Sequence, residues 1–405
     1  MDDERWLLPE GIEEILPPTA WQLEKLRRRL LDLYHCWGYE LVIPPLIEFL
    51  ESLLIGTDSD LDLQTFKVTD QLSGRTLGIR ADMTPQAARI DSHLLRRDFP
   101  SRLCYLGTVL RTRSDGFGGS RSPLQVGAEL YGHRGFESDA EIVSLMLETL
   151  RIAGLEDIQL NLGHVAVFRS LARAMELDPR QETWLFEILQ RKSLPDLQEQ
   201  ASRRGLGAET IGVFRDLMGM HGPVQSVLGE AGERFRQHPE VIAALSTLHA
   251  LVNHLAARFT RLPVMVDLAE LRGYHYHTGV VFSCYARNHG QAIAQGGRYD
   301  EIGQVFGRAR PATGFSADLR TLLLLGKTPG TSHAKQMGNI FAPWSTDPAL
   351  DTLITELRYH QERVVQALPG THPSPEDLGC TRQLLRRDGV WQVLPVPTAG
   401  DPSVD

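Results

Sequence analysis

The sequence is poor in cysteine, in net positive charge and in long apolar runs, and each shortage excludes a class of protein. Its four cysteines (Cys36, Cys104, Cys284 and Cys380) lie far apart with no Cys-x-x-Cys pair, so we expect neither a disulfide framework nor a zinc site. The formal net charge is −9, whereas dedicated nucleic-acid binders usually carry a basic surface. We find no apolar run near the roughly 20 residues of a membrane helix and no basic, apolar leader. These absences predict a cytoplasmic protein that does not span a membrane.

The periodicity of the apolar residues predicts an α+β protein. Residues 1–326 alternate between strand-like runs and helices, which predicts one mixed domain. Within it, residues 164 to about 260 show helical periodicity alone and predict an all-helical insertion. A linker candidate, residues 326–330, then leads to residues 331–405, which we expect to form a small α/β region with a polar tail.

Polar side chains interrupt two of the strand-like runs. Gln125 and Glu129 are four residues apart, so they face the same side of one strand, and Arg111 lies within the preceding run, residues 102–113. A buried carboxylate is costly unless it has a partner. An α-amino acid is a suitable partner, because carboxylates and amides receive its ammonium group and an arginine receives its carboxylate. From the residues alone, two alternatives stay open: side chains that face solvent, or an internal Arg111–Glu129 ion pair.

Several segments, in one order along the chain, resemble the class II aminoacyl-tRNA synthetases. The segment Gly38-Tyr-Glu-Leu-Val-Ile-Pro-Pro-Leu-Ile-Glu48 is similar to motif 1, which forms a homodimer interface in that class. Arg80-Ala-Asp-Met-Thr84 and Gly296-Gly-Arg-Tyr-Asp300 resemble segments of histidyl-tRNA synthetase. The resemblance covers roughly residues 5–326. It implies an antiparallel sheet flanked by helices, and self-association as a dimer.

The resemblance also implies a histidine pocket. Leu271-Arg-Gly-Tyr-His-Tyr-His277 matches a segment of that family, Arg-Gly-Leu-Asp-Tyr-Tyr, whose tyrosines enclose the imidazole. The positions that match the family's ligand contacts are Asp82, Thr84, Arg111, Gln125, Glu129, Arg272, Tyr276 and His277.

Within this set, the resemblance implies a role for each group. We expect Asp82, Thr84, Gln125 and Glu129 to hold the ammonium group, and Arg272 to hold the carboxylate. Tyr276 and His277 would flank the imidazole. His277 either makes the site pH-sensitive or is a plain packing residue.

The positions that would handle ATP depart from the synthetase pattern. Motif 2 of the family has a glutamate that accepts from the adenine amino group, and Arg113, which only donates, stands there. Motif 3 aligned without a gap places Thr321 where the phosphate-binding arginine belongs, although a shift of one residue would place Arg320 there. Residues 327–405 carry 7 Lys/Arg against 9 Asp/Glu and do not resemble a complete tRNA-reading domain. We therefore expect no catalytic residues, no metal, no cofactor and no tRNA partner.

The sequence retains the residues of the synthetase histidine pocket but departs from the synthetase pattern at the ATP positions. In this combination it resembles the family of ATP phosphoribosyltransferase regulatory subunits. Arg80–Arg89 and Thr313–Leu319 are similar to segments of that family. The resemblance implies a hetero-oligomer with the catalytic subunit, activation of that subunit in the first step of histidine biosynthesis, and histidine as feedback effector. Two alternatives stay open: an enzyme that activates histidine with ATP without tRNA, and an assembly scaffold with a vestigial pocket.

Overall fold

The chain divides into two compact units, Met1–Lys327 and Thr328–Asp405, in a computed structural model. The structure describes residues 6–54, 59–114, 119–271, 273–274, 276–327, 339–371 and 373–397. Most of the expected linker and the polar tail lie outside the described residues.

The first unit combines short and long helices with twelve strands among the residues described. Its helices are α1 (Thr19–Cys36), α2 (Leu50–Leu53), α3 (Ser59–Gln64), α4 (Thr84–Arg89), α5 (Phe136–Ile152), α6 (Val165–Ala174), α7 (Pro179–Arg191), α8 (Leu194–Gln200), α9 (Ala208–Gly219), α10 (Val224–Arg234), α11 (Pro239–Arg258) and α12 (Leu319–Leu325). Its strands are β1 (Glu40–Leu41), β2 (Ile47–Phe49), β3 (Phe66–Thr69), β4 (Thr76–Ile79), β5 (Ser101–Thr108), β6 (Leu124–Tyr131), β7 (Ile158–His164), β8 (His221–Pro223), β9 (Val264–Asp267), β10 (Val280–Ala286), β11 (Ala292–Arg298) and β12 (Ala312–Asp318). A π-helix follows α4 at Ile90–Leu95, and 3-10 turns lie at Ser202–Arg204 and Ile302–Phe306.

A nine-stranded sheet organises the first unit, in the order β1-β5-β6-β12-β11-β10-β7-β9-β8. All neighbouring pairs are antiparallel except β1–β5 and β7–β9. A separate three-stranded sheet has the order β2-β4-β3. The predicted antiparallel sheet flanked by helices is therefore confirmed.

Strand β6 shows how the sequence divides the two faces of this sheet. Val126, Ala128 and Leu130 are buried in the core cluster that also contains the apolar stripes of α1 and α5. Because side chains alternate along a strand, Gln125 and Glu129 lie on the opposite face. That face carries the candidate site described below.

The expected all-helical insertion is almost entirely helical, but one part of the expectation is wrong. Helices α6 to α11 fill residues 165–258, while the short strand β8 lies among them and pairs with the edge of β9. The sequence His221-Gly-Pro223 is too short to show a period of two, so the strand is defined by its tertiary pairing. Buried side chains of this segment, such as Phe168, Phe214 and Leu248, belong to the same core cluster as the sheet.

Among the described residues, one helix, α11, is long and apolar enough to cross a membrane by length and composition. Val241, Leu245, Leu248 and Leu255 on this helix are buried in the core cluster. Core helices pass the same test, so the finding is weak evidence for a membrane span.

The second unit has its own small core. It contains β13 (Asn339–Ala342), α13 (Pro348–Tyr359), β14 (Val364–Gln366), β15 (Cys380–Arg387) and β16 (Val390–Pro395), with sheet order β14-β13-β15-β16. Ile340, Leu350, Ile354 and Leu384 are buried together.

Candidate functional site

A cleft of about 230 Å³ opens on the sheet face opposite α1 and α5. Strands β6, β10, β11 and β12 contribute to its walls, together with Asp82, Thr84, Gly273, Tyr276 and His277. The glycines Gly296, Gly297 and Gly314 contribute no side chains, which leaves room for a ligand close to the backbone. The volume lies below the roughly 300 Å³ at which pockets for drug-sized ligands begin, and it suits a small metabolite.

Glu129 lies at one end of the cleft and is only 1% exposed. Its carboxylate accepts hydrogen bonds from the hydroxyl of Tyr105 at 2.8 Å and from the hydroxyl of Tyr299. Burial raises the pKa of Glu129 to about 8; the two tyrosine hydroxyls lower it and the charge of Asp82 raises it further. Gly314 makes this position possible, because a Cβ atom there would lie 1.5 Å from Glu129 Oε2. Glu129 is thus a buried carboxyl group that gains most from a ligand with a positively charged or N–H donor.

Asp82 is held in place by a small network of hydrogen bonds. Its Oδ1 accepts from the backbone N–H of Thr84 at 2.9 Å and from the side-chain amide of Gln125 at 2.8 Å. Gln125 in turn accepts from the backbone N–H of Met83 at 2.9 Å. The hydroxyl of Thr84 lies 3.0 Å from that of Tyr105. Gln125 therefore orients Asp82, and the carboxylates of Asp82 and Glu129 face one cleft.

Tyr276 and His277 form a second wall. The Tyr276 ring stacks on Tyr299 with centroids 5.0 Å apart, and His277 meets Tyr276 edge-on at 5.4 Å. The Tyr276 hydroxyl is buried with no hydrogen-bond partner among the described residues. A Cβ on Gly297 would lie 2.7 Å from the His277 ring, so this glycine accommodates the ring. An unpaired buried hydroxyl at a cleft wall is a group that a polar ligand would satisfy.

The other predicted residues lie apart from the cleft or outside the description. The guanidinium of Arg111 donates from Nε to the backbone oxygen of Ala81 at 3.3 Å, and Arg111 is not among the residues that line the cleft. Arg272, the expected carboxylate partner, and His275 lie outside the described residues. The structure thus brings Asp82, Thr84, Glu129, Tyr276 and His277 to one cleft, with Gln125 directly behind Asp82.

Sequence reasoning missed Tyr105, Tyr299 and Glu270. Both tyrosines bind Glu129, and Glu270 lines the cleft with Tyr299. Tyr299 belongs to the segment 296–300, whose resemblance to histidyl-tRNA synthetase could have indicated this tyrosine as a site residue. Its neighbour Arg298 has a different role, because it is 6% exposed and pairs with Asp139 at 3.1 Å.

The residues at the ATP positions of motif 2 and motif 3, Arg113, Arg320 and Thr321, do not line this cleft. Arg320 donates to the backbone oxygen of Glu13 at 2.9 Å, and the hydroxyl of Thr321 donates to Asp318 at 3.0 Å. Arg113 is exposed. Among the described residues that line the cleft, none is lysine or arginine. Within the same part of the chain, no group of three His, Cys, Asp or Glu side chains could hold a metal ion.

Comparison with known proteins gives a consistent result over nearly the whole chain. The family model for histidyl-tRNA synthetase matches residues 11–322. The model for the ATP phosphoribosyltransferase subunit HisZ C-terminal domain matches residues 337–394. The ATP phosphoribosyltransferase regulatory subunit of Thioalkalivibrio sulfidiphilus (strain HL-EbGR7) is 55% identical over 393 residues, which cover 95% of this chain and 97% of that protein. The chain belongs to the family of ATP phosphoribosyltransferase regulatory subunits.

Further members of the family and two solved structures agree. The regulatory subunit of Nitrosococcus oceani is 49% identical over 98% of both chains. The crystal structure of an ATP phosphoribosyltransferase regulatory subunit/histidyl-tRNA synthetase from Bacillus halodurans C has a TM-score of 0.80 at 26% identity, covering 92% of this chain and 95% of that chain. A histidyl-tRNA synthetase from Nostoc sp. PCC 7120 has a TM-score of 0.76 at 19% identity, covering 94% and 91%, and shows the shared fold alone. The class II synthetase-like fold is therefore confirmed by independent structures.

Proposed function

We propose that this chain is the regulatory subunit that activates the catalytic subunit of ATP phosphoribosyltransferase, and that histidine bound in the cleft inhibits the complex. Regulation in histidine biosynthesis follows from family membership, since relatives that match nearly the full length are named as regulatory subunits. The observation that supports histidine as the effector is the cleft itself, which is lined by the carboxylates of Asp82, Glu129 and Glu270 and by an unpaired tyrosine hydroxyl.

The chemistry of histidine matches these groups. Its ammonium and imidazole N–H groups are donors, and the carboxylates of Asp82 and Glu129 are acceptors that lie among tyrosine rings. Charge-assisted hydrogen bonds of this kind are roughly twice as strong as neutral ones. The flat imidazole suits a wall made of Tyr276 and His277. Arg272 remains the proposed partner of the ligand carboxylate.

The residues at the positions that would handle ATP support a regulatory subunit better than an enzyme that activates histidine. Stabilising a reacting triphosphate requires preorganised positive charge. Arg320 instead contacts the segment before α1, and Arg113 is exposed. We propose that the chain has no catalytic residues and takes no cofactor, and that it does not bind tRNA. We also place it in the cytoplasm.

Self-association through motif 1 is a further part of the proposal. Strand β1 lies at an edge of the nine-stranded sheet. Strand β2, which follows it in the chain, belongs to the three-stranded sheet. The apolar side chains of this region are strongly exposed: Leu41, Ile43, Leu46 and Ile47, with Ile43 at 82%. A cluster of exposed aliphatic residues beside an unpaired strand edge favours contact with another copy of the chain.

The test is an assay of phosphoribosyl transfer by the catalytic subunit with and without this chain, across a histidine titration. We expect the chain to raise the rate and histidine to lower it. Glu129→Gln should keep the activation but weaken inhibition, whereas Glu230→Gln, an exposed change on α10, should leave both unchanged. An unchanged rate with the chain present would refute the regulatory function. Inhibition that persists in Glu129→Gln would refute the assigned site, and robust ATP–pyrophosphate exchange with histidine would favour the enzyme alternative.

A further inference from the structure

The segment that carries Tyr276 and His277 is held from its far side by helices. We call residues 268–277 the ligand loop; it follows β9 directly, and its residues 272 and 275 lie outside the description. The backbone oxygen of Gly273, which has a φ angle of +67°, accepts from the N–H groups of Tyr276 at 2.9 Å and His277 at 2.7 Å. These bonds tie Tyr276 and His277 to the backbone of Gly273.

Tyr274 fastens the ligand loop to α6 and α7. Its ring stacks on Phe186 with centroids 5.2 Å apart and meets Phe168 edge-on at 5.1 Å. Its hydroxyl donates to Glu182. Arg169 donates to the backbone oxygen of Tyr274 at 2.7 Å and lies 4.9 Å from the ring centroid. Tyr274 does not line the cleft, and all four of these partners belong to the helical segment.

The other end of α7 is fastened at the start of the same loop. Lys192, which ends α7 in the left-handed conformation, pairs with Asp267, the last residue of β9. Asp267 also accepts from the backbone N–H of Ala269 at 3.0 Å. Helix α7 is thus bonded to the ligand loop and its base through both of its ends.

We infer that Tyr274 is a positioning residue that sets Tyr276 and His277 against the ligand and couples occupancy of the cleft to α7. The inference rests on the proposed function, because the ligand is taken to be histidine. Tyr276 stacks on Tyr299 in the sheet domain, while Tyr274, two residues before it, stacks on Phe186 of α7. A ligand that forms a hydrogen bond with the free hydroxyl of Tyr276 therefore contacts a loop that packs against the sheet through Tyr276 and against α7 through Tyr274. Coupling requires that the ligand stabilise two states of the protein unequally, and packed side chains and hydrogen bonds of this kind are one way to carry it.

The coupling has a route to the protein surface. Helix α7 buries Trp184, Leu185, Ile188 and Leu189, and its opposite side is exposed at Glu187. A change in the order or position of α7 is therefore presented on the outside of the molecule, where a partner subunit would sense it.

The experiment compares the wild type with the variant Tyr274→Phe, both as the full-length chain. This variant keeps the ring stacking and removes the hydroxyl, together with its bond to Glu182 and its interaction with Arg169. Tyr359→Phe removes the hydroxyl of a tyrosine in the other unit that is 85% exposed, and it serves as the matched control. Histidine binding is measured by calorimetry, and amide hydrogen exchange of residues 179–191 is followed with and without histidine. Histidine binding also raises overall stability and slows exchange wherever exchange needs global unfolding, so the response of α7 is compared with that of α10 in the same molecule.

We expect histidine to slow exchange in α7 of the wild type and of Tyr359→Phe. In Tyr274→Phe, affinity should fall by about fivefold, the lower end of typical coupling factors, and the histidine-dependent change in α7 should be lost. Glu182→Gln keeps an acceptor for the hydroxyl and should retain much of the response, whereas Glu182→Ala should match Tyr274→Phe and add nothing to it in the double variant. A wild type that binds histidine without any response in α7 would overturn the inference. A wild type that fails to bind histidine would instead overturn the proposed function.

Discussion

Histidine binding should tighten as the pH rises from 7 to 8, because the ligand needs the ionised form of Glu129. Burial raises the pKa of this carboxyl group to about 8 in the empty protein. At pH 7 about one tenth of the molecules then carry the carboxylate, and at pH 8 about half do. Apparent affinity scales with the competent fraction, so the dissociation constant should fall by about fivefold over this interval. Free histidine changes little here, since an ordinary imidazole titrates near pH 6.5.

The change Glu129→Gln separates this effect from packing. Glutamine has nearly the same shape and still accepts from Tyr105, but it has no charge to offer the ligand. Hydrogen bonds to charged groups contribute about 1.5–3 kcal/mol, and ionising Glu129 at pH 7 costs about 1.4 kcal/mol. The variant should therefore bind histidine only a few-fold more weakly at pH 7, but about tenfold or more weakly at pH 8.

Isothermal calorimetry at both pH values, in buffers with different ionisation enthalpies, measures affinity and proton release together. We expect the wild type to release close to one proton per histidine at pH 7, and the variant to release none. An affinity that is flat from pH 7 to 8 in the wild type, with no proton release, would refute the claim that the ligand pairs with a buried neutral carboxyl group.

Three further predictions concern the space around Glu129 and the stability of the fold. Gly314→Ala should abolish histidine binding measured by calorimetry, because its Cβ would lie 1.5 Å from a carboxylate oxygen of Glu129. Burial lowers the pKa of His164 from 6.5 to about 4, so this residue contributes stability that is present above pH 6.5 and lost as the pH falls to 4. Between pH 6.5 and 4 this residue should lower the unfolding free energy by about 3 kcal/mol. In His164→Asn, the unfolding free energy measured by urea denaturation should fall by about that much less over the same pH range. Arg298→Met should destabilise the fold by about 3–5 kcal/mol in urea unfolding at pH 7, because it leaves the buried Asp139 without its ion pair.

Each of these changes has an outcome that would contradict its reasoning. Gly290→Ala, at a glycine with open space around it, is the control for Gly314→Ala, and equal histidine binding by both would show that Glu129 is free to move. An unaltered slope in His164→Asn would mean that the proton taken up on unfolding binds a group other than His164. A loss below about 1 kcal/mol in Arg298→Met would show that Asp139 is not left as an unpaired buried charge when Arg298 is removed.

Much of the fold was predictable because its signals are local. The alternation along β6 placed Gln125 and Glu129 on one face, and the order of the synthetase-like segments indicated the antiparallel sheet. Strand β8 was missed because three residues carry no periodic pattern. The contact of Gln125 with the ligand stays a prediction, and the bond from its amide to Asp82 was not predicted.

The sequence by itself determined the family, the sheet and the set of polar residues at one end of it, since periodicity and motif order depend on neighbours along the chain. Only the tertiary structure decided how Glu129 is buried. Tyr105 and Tyr299 reach it from positions 24 and 170 residues away, and Gly314 leaves the space that it occupies. The same holds for Tyr274, whose hydroxyl meets Glu182 across 92 residues. The pKa of a buried group and the bracing of a loop depend on such distant contacts, because desolvation and packing are set by everything that surrounds an atom.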